Sequence, residues 1–193
     1  MNDYLNSKGF HEFEGHSQLC LAKTSHLIHL SKDCTNIMEI GFNAGHSAET
    51  FLQNTTGHVT SFDLGEHPYV HTAKEYIDSM YPGRHTLILG DSRVTVPEYG
   101  VVGASPYFDL LFIDGGHDYD IAQEDIKNCI PLATPEAIFI MDDTMYTPDW
   151  VQAYTVGPTR AWLESDVVKV GAMDYSNGMG MSWGISQCHP MNL

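Results

Sequence analysis

The sequence has few basic residues and no long apolar run. Lysine and arginine together number 9, against 25 aspartates and glutamates, and the formal net charge is -16. A surface of that charge repels a phosphate backbone, so nucleic acid is excluded as an expected partner. No apolar stretch reaches the roughly 20 residues of a membrane span. The start of the chain, Met1 to Leu5, lacks a basic segment followed by an apolar one, so neither a signal peptide nor a membrane partner is expected.

Cysteine is also sparse. Cys20, Cys34, Cys129 and Cys188 are the only four, and no two of them form a C-x-x-C pair. In a chain of this length, such scattered cysteines predict free thiols in a reducing compartment. We therefore expect a cytoplasmic protein.

Apolar residues are frequent enough for one folded core. The chain has 193 residues, of which 42% are hydrophobic and 18% charged, and this predicts a single domain over residues 1–193. Residues 1–30 are interpreted as an N-terminal segment with a helix. Residues 144–163 are interpreted as a lid over a substrate.

Short apolar runs alternate with helix-like segments along the chain. Strands are predicted at 37–40, 58–63, 86–89, 107–113, 137–141, 167–170 and 181–185. Helices are predicted at 16–31, from Ala44 onward, at 70–81, at 118–129 and near Arg160, whereas 93–106 and 171–180 look irregular. The alternation indicates an α/β fold with a parallel sheet covered on both faces. In such sheets, ligands bind beyond the carboxyl ends of the strands.

A glycine turn follows the first predicted strand. Gly41 and Gly45 allow positive φ or a close approach of the backbone, and the helix that follows would aim free N–H groups at a ligand. A dinucleotide fingerprint, G-x-G-x-x-G, would need glycine where the chain has Asn43 and His46. The pattern present is instead acid-x-G-x-x-x-G, beginning at Glu39.

Acidic residues end the other strands. Asp63 ends the second strand, at a spacing from Gly41 that suits an acid accepting hydrogen bonds from both ribose hydroxyls. Asp91 and Ser92 follow the third strand, where an adenine amino group could be recognised. The alternative for Asp63 is a helix cap or a loop acid, and the alternative for Asp91 and Ser92 is a plain turn.

The fourth and fifth strands each end in a carboxylate. Asp114 follows one strand, and Asp142 with Asp143 follows the next. Neighbouring strands lie roughly 4.8 Å apart, so these side chains could converge on one hard cation such as Mg²⁺. The alternative is that the three acids only cap or turn the chain.

These motifs occur in the order found in class I S-adenosylmethionine (SAM)-dependent methyltransferases, and the resemblance covers about residues 16–186. The chain most resembles small-molecule O-methyltransferases of the catechol type and their sugar- or macrolide-modifying relatives. The resemblance implies a Rossmann-like, doubly wound, mostly parallel seven-stranded sheet of order 3-2-1-4-5-7-6, with the last strand antiparallel. It also implies Mg²⁺ on Asp114, Asp142 and Asp143, although the catechol type commonly has Asn at the last position.

The resemblance also implies roles for individual residues. The implied cofactor contacts are Glu39, Gly41, Phe42, Asn43, Gly45, Ser47, Asp63, Leu64, Asp91, Ser92 and Asp114. Glu39 is expected to face the methionine amino end of SAM. The lysine base of the catechol type is missing, and His117 stands in the matching Asp-Gly-x-His as the expected base, with Asp114 beside it as a catalytic residue.

The sequence therefore predicts metal-assisted O-methylation of a small-molecule hydroxyl, by a protein that could form a homodimer. Three alternatives stay open: a metal-independent N- or O-methyltransferase, a nicotinamide-dependent oxidoreductase and a catalytically silent SAM-binding domain. The aromatic residues of the expected lid, Tyr146, Trp150 and Tyr154, together with Met145, could cover the acceptor or pack into the core.

Overall fold

A seven-stranded sheet forms the centre of the computed structural model, which describes residues 1–14, 16–102 and 108–187. The strands are β1 (Asn36–Ile40), β2 (His58–Asp63), β3 (His85–Leu89), β4 (Phe108–Ile113), β5 (Ala133–Asp142), β6 (Val168–Ser176) and β7 (Met179–Ile185). Their order is β3-β2-β1-β4-β5-β7-β6. β7 runs antiparallel to both of its neighbours, and the pairs from β3 to β5 are parallel. The predicted strand order and the antiparallel last strand are confirmed.

Helices cover both faces of this sheet. They are α1 (Asn2–Ser7), α2 (Leu21–Ser31), α3 (His46–Asn54), α4 (Val70–Met80), α5 (Ser92–Val102), α6 (Tyr119–Cys129) and α7 (Ala153–Glu164). Successive strand side chains point to opposite faces. Ile37 therefore packs into a core with Phe51 of α3, and Met38 into a second core with Trp162 of α7. Within the described ranges, no helix has the length and apolarity needed to cross a bilayer.

The predicted free thiols are confirmed where the structure describes them. Cys20, Cys34 and Cys129 are unpaired. Cys188 lies outside the described residues, as does Tyr107, the predicted first residue of the fourth strand.

Strand register brings the acidic strand ends to one edge of the sheet. Ile40 of β1 lies beside Ile113 of β4, and Ile113 lies beside Met141 of β5. The residues that follow these three in the chain are Gly41, Asp114 and Asp142. They therefore lie side by side at the carboxyl edge of the sheet.

Two helices extend further than the sequence predicted, and each contains a proline. α5 occupies much of the stretch predicted to be irregular, and α7 begins at Ala153 rather than near Arg160. Pro97 and Pro158 lie at the sixth residue of their helices, where proline costs about 3 kcal/mol relative to alanine. Burial of Val96 and Trp162 in the core offsets this cost.

The two ends of the domain also contain more regular structure than predicted. The N-terminal segment contains α1 in addition to the one helix predicted there, and Leu5 of α1 is fully buried. The glycine-rich stretch 171–180, expected to be a connection, mostly belongs to β6 and β7. Small residues fit there because the ring of Trp183 lies across Gly171, where a Cβ would be 2.3 Å from that ring.

Candidate active site

A cavity of about 640 Å³ opens at the carboxyl edge of the sheet. This volume is in the range of about 300–1,000 Å³ that is typical of small-molecule sites. The predicted site residues that line it are Gly41, Asn43, Asp63, Leu64, Asp91, Ser92, Asp114, His117, Asp142 and Asp143. The predicted residues that do not line it are Glu39, Phe42, Gly45 and Ser47.

The glycine turn forms one wall because the backbone of β1 ends directly against β4. Gly41 has φ +92°, and a Cβ at this position would lie 1.9 Å from the carbonyl oxygen of Asp114. The amide of Gly41 donates to the carbonyl of Phe62 in β2, at 2.8 Å. Only glycine fits both the positive φ and the close approach. The turn therefore lets β1 end in close contact with the backbone of Asp114, and both form part of the cavity wall.

Asp63 fixes the loops beside this turn and also faces the cavity. Its Oδ2 accepts the amide of Asn43 at 2.8 Å, and its Oδ1 accepts the amide of Gly65 at 2.7 Å. A carboxylate has about four lone-pair positions, so acceptor capacity remains on both oxygens. Asp63 can thus accept the two ribose hydroxyls of a nucleoside while it holds the loops. The cavity volume, the glycine turn at Gly41 and this carboxylate together fit SAM.

Glu39 lies behind the cavity wall. Its carboxyl is fully buried and accepts the hydroxyls of Ser47 in α3 and Ser61 in β2, the latter at 2.5 Å. Burial raises the pKa of Glu39 to about 7, although the two serine hydrogen bonds act to lower it. The expected direct contact of Glu39 with the cofactor is not supported by this position. Its observed role is to tie the first strand to the helix that follows the glycine turn.

Glu39→Gln should make the domain more stable at alkaline pH relative to the wild type. With a folded pKa near 7 against an ordinary 4.5, the native state binds more protons than the unfolded state between these values. The free energy of unfolding therefore falls as the pH rises through that window, by up to about 3 kcal/mol. Glutamine does not titrate. Urea unfolding of both proteins at about pH 5 and about pH 8 measures the difference, and parallel pH dependences would contradict the prediction.

The three predicted metal ligands converge, but they meet a lysine. The ammonium Nζ of Lys23, from α2, lies 2.5 Å from Oδ1 of Asp142, and both side chains are buried. Burial alone would lower the pKa of Lys23, but the charges of Asp142, Asp114 and Asp143 outweigh it and raise that pKa above its usual range. Burial, together with the charges of Asp142 and Asp143, raises the pKa of Asp114 well above its usual range.

These residues, as arranged, do not fit a divalent cation. Carboxylate oxygens suit Mg²⁺, but here an ammonium is bonded to one of the carboxylates a metal would need. Asp143 points to a different partner, His117. Across the part of the chain that the structure describes, no group of three or more His, Cys, Asp or Glu side chains is placed to hold a metal ion.

His117 and Asp143 form a pair at the rim of the cavity. Nε2 of His117 lies 3.0 Å from Oδ2 of Asp143, and the imidazole is about half exposed. The hydrogen bond that His117 donates to Asp143 raises the pKa of His117, against a smaller lowering by burial. The loop that carries His117 packs against α7, since a Cβ on Gly157 would lie 2.1 Å from the His117 carbonyl oxygen. The ring is therefore placed by two elements and still reaches solvent.

The remaining predicted residues have protein partners of their own. Asp91 forms an ion pair with Arg93, with Nη2 and Oδ2 2.5 Å apart, and the hydroxyl of Ser92 donates to buried Asp125 at 2.6 Å. Of the residues expected to cover the acceptor, Tyr154 lines the cavity, and its ring centroid is 5.4 Å from that of His117. Tyr146 is exposed and does not line the cavity, and its hydroxyl lies 2.8 Å from that of Ser182.

The sequence did not predict the contribution of the N-terminal segment. Glu14, His16 and Ser17 line the cavity although they precede the first strand. Lys23 was also missed as a site residue. One signal for it exists: Lys23, Leu27 and Ser31 have the i, i+4, i+8 spacing of one helix face, and all three are buried.

The sheet order, the glycine turn and the acidic strand ends define a class I methyltransferase fold. The chain belongs to the family described as methyltransferase domain, which matches residues 38–144, more than half of the sequence, and it is a SAM-dependent methyltransferase. This family excludes the nicotinamide-dependent oxidoreductase that the sequence left open. A search of curated proteins gave no significant match.

Solved structures with the same fold include several methyltransferases. The O-methyltransferase TomG from Streptomyces achromogenes, involved in tomaymycin synthesis and solved with SAM, has TM-score 0.73 and 17% identity over 96% of this chain and 87% of its own. An O-methyltransferase from Bacillus cereus, solved with S-adenosylhomocysteine (SAH), has TM-score 0.71 and 18% identity over 86% and 81%. The N-methyltransferase NodS from Bradyrhizobium japonicum has TM-score 0.61 and 12% identity over 86% and 96%. At such identities the likeness shows the fold alone.

Proposed function

We propose that this methyltransferase methylates a hydroxyl group of a small molecule, with His117 as the general base. The observation that carries the proposal is that the His117–Asp143 pair opens into the same cavity as Asp63 and the glycine turn. The O-methyltransferases among the similar structures support oxygen as the acceptor atom. A net charge of -16 supports a small acceptor rather than a nucleic acid.

The residues that line the cavity form two groups. Asp63 and the turn at Gly41 form the cofactor side, and His117 with Asp143 forms the acceptor side. When bound, SAM supplies an electrophilic methyl group on its sulfonium sulfur. Transfer of this methyl group to the acceptor oxygen leaves SAH. Asp63 and the turn at Gly41 hold the nucleoside and amino-acid portions in place, and this positioning is a large part of catalysis in a displacement of this kind. Asp91 and Ser92 line the part of the cavity beyond β3, where we place the adenine.

His117 would handle the proton of the acceptor. As the O–C bond forms and the C–S bond breaks, the hydroxyl proton passes to Nδ1 of His117, since Nε2–H donates to Asp143. Asp143 stabilises the imidazolium that results. Because the imidazole is about half exposed, it can then release its proton to solvent. Each of these steps uses side chains present in the structure, so the proposal favours the metal-independent alternative over Mg²⁺ assistance.

Asp63→Ala should weaken SAM binding by ~10- to 100-fold, the equivalent of ~1–3 kcal/mol for two lost charge-assisted hydrogen bonds. Calorimetric titration with SAM and SAH measures the effect. Asp78→Ala is the matched control, because it removes a carboxylate that is half exposed and paired with Lys74 outside the cavity. Asp63→Asn should give an intermediate affinity, since one acceptor oxygen remains. Unchanged SAM affinity in a folded Asp63→Ala variant would contradict the assigned cofactor side.

A catalytically silent SAM-binding domain is the second candidate. It shares every cofactor contact with the enzyme and differs only in turnover. Incubation with SAM and a panel of phenolic, sugar and amine acceptors, followed by detection of SAH, separates the two. SAH formation with hydroxyl acceptors supports the proposal, whereas SAH formation with amines alone would assign N-methylation.

A further inference from the structure

The cluster of three acids at the carboxyl edge contains a buried cation supplied by the protein. Lys23 is 5% exposed and lies on the buried face of α2, well before the sheet begins in the sequence. Its side chain crosses to the far end of β5, where Nζ meets Asp142. Burying a lysine is costly unless it is paired. The carboxylates at the strand ends, Asp142 above all, compensate the cost of burying this lysine.

Two of the three acids in this cluster already have partners within the protein. Asp142 is paired with Lys23, and Asp143 is paired with His117. Asp114 lines the same cavity beside them. A divalent ion placed among these residues would stand directly against an ammonium. The cluster has the acids of a metal site and an internal positive charge in the place of the metal.

Lys23 also faces the cavity. An ammonium has three N–H donors, and Asp142 lies within reach of one. Lys23 lines the same cavity as His117 and Asp63, so it borders the space in which an acceptor would bind. A positive charge there favours the deprotonated form of a nearby hydroxyl, which is one of the effects that a divalent metal has in this kind of reaction.

We propose that Lys23 replaces the divalent cation in this methyltransferase: its ammonium neutralises the acidic strand ends and binds the acceptor oxygen. The contact with the acceptor rests on the proposed O-methylation. The replacement of the metal by Lys23 rests on the cluster alone. The two parts can therefore fail separately, and they are tested by separate measurements.

Removing Lys23 should create a metal site that the wild type lacks. Lys23→Ala leaves three carboxylates around a space without a positive charge, and oxygen-only sites of this kind bind Mg²⁺ and Mn²⁺. We expect Mn²⁺ to bind this variant at one ion per chain by electron paramagnetic resonance, and Mg²⁺ to raise its Tm. The wild type should show neither response. Lys32→Ala, which removes an exposed lysine beside the C-terminal end of α2, should behave as the wild type.

The response of these variants to metal decides whether Lys23 replaces a divalent cation. Adding Asp142→Asn to Lys23→Ala should abolish the response to metal, because the variant loses one anionic ligand. If Lys23→Ala folds only when Mg²⁺ is present, the proposal is supported. If the variant shows no response to either metal, or does not fold even with Mg²⁺, the acids are not a cation site and the proposal is overturned. A specific Mn²⁺ signal from the wild type at this cluster would also overturn it.

Turnover tests the contact with the acceptor. Wild-type methyl transfer should be the same in excess EDTA as in added Mg²⁺, and Lys23→Ala should lose kcat while it retains SAM affinity. Turnover that stops in EDTA and returns with Mg²⁺ would overturn the replacement even if O-methylation is correct. SAM binding without methyl transfer to any hydroxyl would refute the proposed function and the acceptor contact, while the metal titration would still decide whether Lys23 replaces a metal.

Discussion

Replacing His117 with alanine should lower kcat by ~10²–10⁴-fold, the usual range for loss of a general base. The affinity for SAM should change by no more than a few-fold. His117 is paired with Asp143 at the rim of the cavity, whereas Asp63 and the glycine turn form the cofactor side. Steady-state kinetics with a hydroxyl acceptor, together with calorimetry for SAM, measure the two effects. His71→Ala is the control, since it removes an exposed histidine from α4.

The rate–pH profile should identify the same residue. The base acts when neutral, so kcat/KM should rise with pH through the pKa of His117, which lies above its ordinary 6.5. The hydrogen bond to Asp143 is the largest cause of this rise, burial opposes it, and the charges of Asp143, Glu14 and Asp142 add to it. The uncharged ring of Tyr154 packs beside the imidazole. Asp143→Asn should therefore move the acid limb to lower pH.

Two results would contradict the role of His117. One is an alanine variant that turns over its acceptor within a few-fold of the wild type and has the same pH profile. The other is a wild-type acid limb that does not move in Asp143→Asn. In either case the histidine would only position the loop against α7, and solvent or another group would remove the proton.

The sheet could be predicted from the sequence because each parallel strand is a short apolar run followed by a polar end. The predicted strand 58–63 matches β2 at both ends. Strand order came from the resemblance and not from the pattern, since local apolar runs do not specify their neighbours. The helices with internal prolines, α5 and α7, were predicted incompletely because propensity considers each residue locally, whereas burial of Val96 and Trp162 is decided by tertiary packing.

The candidate site was predictable where it depends on strand ends. Parallel strands end at one edge, so Asp63, Asp114 and Asp142 were expected together, and the structure places all three on one cavity. Glu39 was harder to place, because it lies inside β1 and not beyond the carboxyl end of that strand. It precedes Gly41 by two residues and is buried between Ser47 and Ser61.

The charge state of the acidic cluster could not be predicted from the strand ends alone. The acids at the ends of β4 and β5 indicate a metal site only if no positively charged side chain of the protein reaches them. Whether one does depends on how a helix distant in sequence packs against the sheet. Lys23 does reach them, from α2. A lysine spaced four residues before Leu27 on a buried helix face was the available signal, but exposed lysines at such spacing are common.

Gly41→Ala should have the largest effect on stability of any small substitution at this site. A left-handed φ costs an L-residue roughly 1–2 kcal/mol, and the new Cβ would also lie 1.9 Å from the carbonyl oxygen of Asp114. That atom belongs to the backbone, so relief requires β1 and β4 to move apart at their carboxyl ends, and forced overpacking costs a further ~1–3 kcal/mol. We expect a loss of about 2–5 kcal/mol in the free energy of unfolding. Loss of SAM binding should accompany it, because moving β1 away from β4 distorts the cavity wall at Gly41 and Asp114.

Gly9→Ala separates the two causes of the destabilisation, the left-handed φ and the collision of the new Cβ with Asp114. Gly9 has φ +91°, nearly the value of Gly41, but a Cβ there would meet no atom within 4 Å. Its substitution should therefore cost only the roughly 1–2 kcal/mol of the backbone conformation. Urea unfolding of both variants, with SAM titration of each, gives the comparison. If the two alanines destabilise the protein equally, the close approach of β1 to Asp114 contributes nothing, and Gly41 is required only for its φ. A larger loss at Gly41, with SAM affinity lost there and kept in Gly9→Ala, would show that this backbone contact shapes the cofactor side of the cavity.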